Sequence, residues 1–182
     1  PRRSERVAAA LRSADEPALL AAVLETRRAL LTAPSDALIL DAVALTAAAP
    51  LPVKEAALAT LLAAPVAHFP ASLLAANQLH KDAAHYAPSV RALALRCWAH
   101  IDPAARSALF WSALVALLRD PEPVCARAAI AVFAQVHRDC PSDEIRDTVR
   151  SLAHTACPAV ALDALWALRE ADPSEPISEE DA

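Results

Sequence analysis

Six histidines and four cysteines are the side chains of this protein with the most chemistry to offer. His137 and Cys140 are spaced as half of a zinc site, and Cys157 follows seventeen residues after Cys140. Zinc asks for soft ligands in two closely spaced pairs, and only His154 is at hand for the second. The segment therefore reads as a helix end with a core cysteine, and no metal site is expected. His80 and His85 straddle Lys81-Asp82 without the Glu that a zincin helix carries, so both read as solvated loop residues. Cys97 sits beside Trp98 in an apolar run, where a thiol keeps a high pKa and stays unreactive. The chain has no glycine at all. Phosphate-binding loops, dinucleotide fingerprints and nucleophile elbows each need a residue that tolerates positive φ or close backbone approach, so all three are excluded. No catalytic residue and no cofactor is expected, and an enzyme is the weakest reading.

The charge balance narrows the partners. Seventeen basic against twenty-two acidic residues give a net charge of −5, and the basic residues are scattered. That excludes a general nucleic-acid binder. Trp98, Trp111, Trp166, Phe110 and Phe133 fall at helical spacing in apolar runs and are read as core packing rather than base-stacking platforms. Cys97, Cys125, Cys140 and Cys157 lack the density of a disulfide scaffold, which suits a reducing compartment. The uncharged stretch 56–80 is interrupted by Pro65 and Pro70 into pieces too short to cross about 30 Å of hydrocarbon. With no methionine, no initiator is present, and the chain is read as a piece of a longer one.

The elements that must position these residues are helices. About a quarter of the residues are alanine, and Ala and Leu lose little side-chain entropy in a helix. Proline is favoured in the first helical turn, where its missing N–H has no partner to lose. Apolar runs after prolines predict helices over 17–32, 52–63, 88–101, 123–138 and 158–170. Periodic segments between them predict five more, over 4–13, 35–48, 70–82, 104–118 and 142–153. Ser35, Ser72 and Ser142 stand where N-caps are needed.

These helices repeat. Val53, Val90, Val124 and Val160 follow their prolines at intervals of 37, 34 and 36 residues. Four positions on stand Ala57, Ala94, Ala128 and Ala164, and eight positions on stand Leu61, Trp98, Val132 and Leu168. A small residue one turn along and a large one two turns along make a stripe against which another helix sits closely. A two-helix unit of this length predicts an all-α fold, an α-solenoid of about five HEAT- or armadillo-like antiparallel pairs over 1–172. The acidic, proline-containing tail 173–182 is expected to be disordered.

The stretch 73–95, LLAANQLHKDAAHYAPSVRALAL, resembles the trunk of the adaptin large subunits of clathrin-type adaptor complexes. Asn77, Lys81, Asp82, Pro88, Arg91, Ala92, Leu93, Ala94 and Arg96 stand where that family has its Asn, its Lys-Asp pair, the proline of a short loop and an Arg-flanked helix. The two arginines are most like the β-type subunits. The stretches 118–137 and 158–170 are similar to successive β-adaptin units, and Val53-Lys54-Glu55 matches a lysine-bearing helix start.

The resemblance implies a non-catalytic trunk segment that supports coat assembly and vesicle-mediated transport. It further implies other adaptor subunits as partners, peripheral membrane association only through the complex, and a cytoplasmic location on coated-vesicle, Golgi or endosomal membranes. An Arf-type small GTPase would dock on the helix before the Lys-Asp pair, at Leu73 and Ala76, with Ala76 offering less apolar area than the family's aliphatic. Two departures stand out. The stretch 16–25 has no basic residue where the family has a lysine-rich helix, and Cys125-Ala126 replaces residues of an exposed basic ladder. A HEAT scaffold of another kind, such as a phosphatase or kinase platform or a transport factor, is the alternative.

Overall fold

A computed structural model describes residues 3–47, 50–64, 73–101, 107–139 and 142–172. The helices are α1 (Arg3–Ser13), α2 (Glu16–Thr32), α3 (Asp36–Thr46), α4 (Leu51–Leu62), α5 (Leu73–Ala83), α6 (Pro88–Ile101), α7 (Ala108–Leu118), α8 (Pro123–Val136), α9 (Asp143–Thr155) and α10 (Pro158–Ala171). A single 3-10 turn, His137–Asp139, extends α8. Among the described residues there is no strand, and each of the ten predicted segments holds one helix. The fold is all-α. The tail 173–182 and Ser72 lie outside the described residues.

The prolines act where their geometry allows. Pro88, Pro123 and Pro158 open α6, α8 and α10, while Pro17 and Pro52 are second in α2 and α4. The Ser142 hydroxyl accepts a bond from the Glu144 N–H at 3.1 Å, capping α9. Ser107 does the same for the Phe110 N–H at 3.4 Å, which is why α7 begins later than the predicted 104. At Ser35 the side chain makes no capping bond. Ala14, in the turn between α1 and α2, has a φ of 52°, a left-handed conformation that a chain without glycine must give to another residue.

The chain divides into two compact units, Pro1–Ala105 and Arg106–Ala182. In the first, α2 packs on α4 and α4 on α6, while α1 packs on α3 and α3 on α5. Each helix also packs on its successor within the pairs α1–α2, α3–α4 and α5–α6. In the second unit α7 and α9 pair with α8 and α10, and α8 packs on α10. Among the described residues no helix is long and apolar enough to cross a membrane.

Burial tests the repeat register directly. Val53, Val90 and Val160 are buried, and so are Ala57, Ala94, Ala128 and Ala164. Val124, however, is exposed, and its place in the core is taken by Cys125, followed by the fully buried Ala129 and Phe133. The stripe starts at the third residue of each helix, so α8 must be counted from Pro123 as α6 is from Pro88. Corrected in this way, Val90, Cys125 and Val160 are separated by 35 residues each. Cys125 and Ala126 are both buried, which corrects their assignment to an exposed ladder.

Trp98, Phe110 and Phe133 fill the core as expected, and Trp111 is half-buried. Trp166 is a further correction: it is exposed on the surface of α10. The buried face of that helix carries Val160, Ala164 and Ala167. Two residues beyond Ala164, at 3.6 residues per turn, a side chain leaves on the other side.

Candidate functional site

The residues singled out by the sequence converge on α5, α6 and the turn between them. Leu73 and Ala76 lie on α5, but their side chains fall outside the described residues. Asn77, Lys81 and Arg96 are exposed. Asp82 is the opposite case, buried with its carboxylate 2.9 Å from the Lys54 ammonium of α4. Gln78, one turn earlier on α5, donates its amide N–H to both Asp82 oxygens at 3.2 Å. The same Lys54 ammonium donates to the Thr46 carbonyl at the end of α3. Lys54 thus ties α3, α4 and α5 together. A buried charge is tolerated when it is paired and further hydrogen-bonded, and both conditions hold here.

Arg91 closes the other side of the turn. Its guanidinium donates to the carbonyls of His85 at 3.0 Å and Tyr86 at 2.9 Å, holding the connection against the start of α6. Within that connection the Ala87 N–H donates to Nδ1 of His85 at 3.1 Å. Partial burial, and then the nearby Lys54 charge, lower the His85 pKa from its ordinary 6.5. Ser89 of α6 donates to the Glu55 carboxylate of α4, a second polar tie among these helices.

The expectation that His80 and His85 are solvated loop residues is corrected for His80, which lies within α5, while His85 does lie in the connection between α5 and α6. His80 is half-buried in α5 with its ring edge-on to Trp98, centroids 5.9 Å apart at 73°. His85 is half-buried in the turn. Cys97 is buried, donates to the Leu58 carbonyl at 3.2 Å, and has its thiol pKa pushed well up by loss of solvation. Nδ1 of His137 lies 2.7 Å from the Ala134 carbonyl at the end of α8, while Cys140 is outside the described residues. Among the described residues no three His, Cys, Asp or Glu side chains come together as a metal cluster.

Two features were not foreseen. The Lys54–Asp82 pair spans 28 positions, and nothing in the spacing of the two residues signalled that they meet. A groove between α8 and α10, with Trp166 on its rim, was hidden by the assignment of Trp166 to the core. No family model matches the chain, and comparison with curated proteins finds no match.

Proposed function

We propose that the protein is a non-catalytic interaction scaffold whose helix pairs stack as a HEAT-like α-solenoid, and that it forms part of the trunk of a β-type adaptin. The observation that carries this reading is the pairing of Asp82 with Lys54. In the stretch that resembles adaptins, the Lys-Asp motif has one exposed member, Lys81, and one member, Asp82, spent on joining α5 to the lysine-bearing start of α4. A motif whose aspartate fixes one repeat on the last suits a trunk, where relative placement of repeats is the working property. The layered packing of α2 on α4 on α6, and of α1 on α3 on α5, supports the solenoid.

On this reading the mechanism is geometric. A rigid surface cradles the other adaptor subunits, and an Arf-type GTPase in its active state, docked on α5 through Leu73 and Ala76, brings the complex to a coated-vesicle membrane from the cytoplasmic side. The test is a pull-down with GTP- and GDP-loaded Arf-type protein, using wild type and Leu73→Asp. Loss of apolar burial together with an unpaired carboxylate weakens GTP-form binding by about 1–3 kcal/mol, with the circular dichroism unchanged. Equal binding by a well-folded variant removes the site. A HEAT scaffold outside the adaptor complexes is the second reading. It is favoured by Trp166 and Leu162, which are exposed on α10 outside the specific stretch. It predicts binding of neither the GTPase nor adaptor subunits by the folded chain.

A further inference from the structure

The groove between α8 and α10 has the composition of a docking site, independent of any adaptin reading. Its floor is apolar, made by Ile130 of α8 and Ala167 of α10, both buried, and its α8 wall is no bulkier than Ala131 and Ala134. The open groove offers about 250 Å³, room for an aliphatic side chain or two. On the α10 rim stands Trp166, 65% exposed, with Leu162 one turn before it and 56% exposed. Solitary exposed apolar residues are ordinary. Trp166 on the rim of an alanine-lined trough, with a second large apolar residue one turn before it on the same helix, is the anchor-and-pocket arrangement of protein interfaces, in which tryptophan is over-represented among the residues that dominate affinity.

The charges decide what fits. At one end of the groove Arg127 and Asp163 face each other across it at 2.6 Å and neutralise one another. At the other end Glu170, one turn beyond Trp166, is exposed, and of this residue and its exposed neighbour Arg169 only Glu170 lines the groove. The groove therefore offers an indole face and a carboxylate within one turn of each other. A cationic side chain can lie on the ring and meet the carboxylate at once, each contact reinforcing the other. The net charge of −5 acts in the same direction at longer range, drawing basic partners and repelling anionic surfaces and further copies of the chain.

We propose that this groove receives a basic amphipathic helix of a partner protein, with an aliphatic side chain in the Ala131–Ala134 trough and an Arg or Lys on Trp166 facing Glu170. Narrow walls of alanine let a helix approach closely, so recognition follows the helix-in-groove mode with anchors one turn apart.

The experiment uses the full chain and two fluorescent model helices of about four turns, identical in their leucines, one with arginine and the other with glutamate at the flanking positions. Anisotropy titrations are run on wild type, Trp166→Ala and Glu170→Lys. The arginine helix binds wild type at least about tenfold more tightly than the glutamate helix, Trp166→Ala lowers its affinity by about tenfold, and Glu170→Lys lowers it by about fivefold with a weaker salt dependence. Both substituted side chains are exposed, so melting curves stay unchanged and a folding defect is separated from a binding one. Equal binding of the two helices, no binding of either, or wild-type affinity in folded Trp166→Ala overturns the proposal. So does sedimentation of the chain alone as a dimer that Trp166→Ala dissociates, which assigns the groove to self-association.

Discussion

Two ion pairs, one in each compact unit, join helices that belong to successive pairs. Lys54 and Asp82 meet at 2.9 Å with their side chains 8% and 3% exposed, whereas Arg127 and Asp163 meet at 2.6 Å with theirs 54% and 31% exposed. The shorter pair is the weaker structural element. Distance sets the Coulomb attraction, but burial sets what happens when one partner is removed. Water takes over an exposed partner, and nothing takes over a buried one. The first pair therefore determines how α3, α4 and α5 fit together, and the second leaves its groove open to a partner.

The largest effect expected is from breaking the buried pair. Asp82→Asn leaves the Lys54 ammonium facing only the Thr46 carbonyl and neutral amide groups, and chemical denaturation should show a loss of roughly 3–5 kcal/mol. Lys54→Met strands the Asp82 carboxylate and should lose as much. Replacing both together, Lys54→Met with Asp82→Leu, should recover most of the loss because no charge is left buried alone. A double variant no better than the singles would mean that packing, not charge, holds this junction.

Packing itself is tested at Ala94. It is fully buried in the stripe of α6, and Leu in its place overfills the contact, so stability should fall by roughly 1–3 kcal/mol. Ala164→Leu, in the same stripe position of α10, should behave alike because Ala164 is also fully buried. An unchanged melting temperature in either would show that the corrected register fails there. The two regions are thus predicted to differ in electrostatics and agree in packing.

The sequence made the packing legible and the electrostatics mostly not. Proline and alanine act locally, so the helices after Pro88, Pro123 and Pro158 were readable from composition and spacing. The stripe needed only a fixed counting origin, and its one misplaced residue, Val124 for Cys125, came from taking the first valine after the proline rather than a constant step from the helix start. Lys54 and Asp82 are different, since two helices that each carry several polar residues do not announce which of them face each other. Trp166 was misread for a related reason: an apolar run of Ala, Leu and Trp lets any of several faces be the buried one, and packing against α8 and α9 selects Val160, Ala164 and Ala167. The adaptin-like motif named Asp82 without revealing that it points inward, and His80 and His85 were taken as solvated because the turn between α5 and α6 could not be seen closing on them.

A smaller and graded effect belongs to pH. Partial burial, aided by Lys54, lowers the His85 pKa below 6.5, so folding disfavours its imidazolium. A group with a depressed folded pKa contributes stability that is complete above the unfolded pKa and is lost as pH falls through the folded one. The first unit should therefore melt at a slightly lower temperature as pH drops below about 6.5, with the His85 ring resonances titrating at a midpoint below that value. His85→Gln should flatten this part of the profile. A ring that titrates at or above 6.5 would show that the turn leaves it fully hydrated.

The smallest effect is expected at the exposed pair, and its smallness is what separates the two regions. The Asp163 hydrogen bond raises the Arg127 pKa, so the guanidinium stays charged across the accessible pH range and the pair persists wherever the protein is folded. Persistence is not stabilisation. Arg127→Gln removes one hydrogen bond at 2.6 Å, but Asp163 keeps access to water, and the side-chain freedom regained by residue 127 opposes the lost attraction. The melting temperature should not move measurably, in low salt or high. A fall approaching that of Asp82→Asn would mean that the rim of the groove is dry, and that the contrast between the two pairs is one of geometry rather than of solvent.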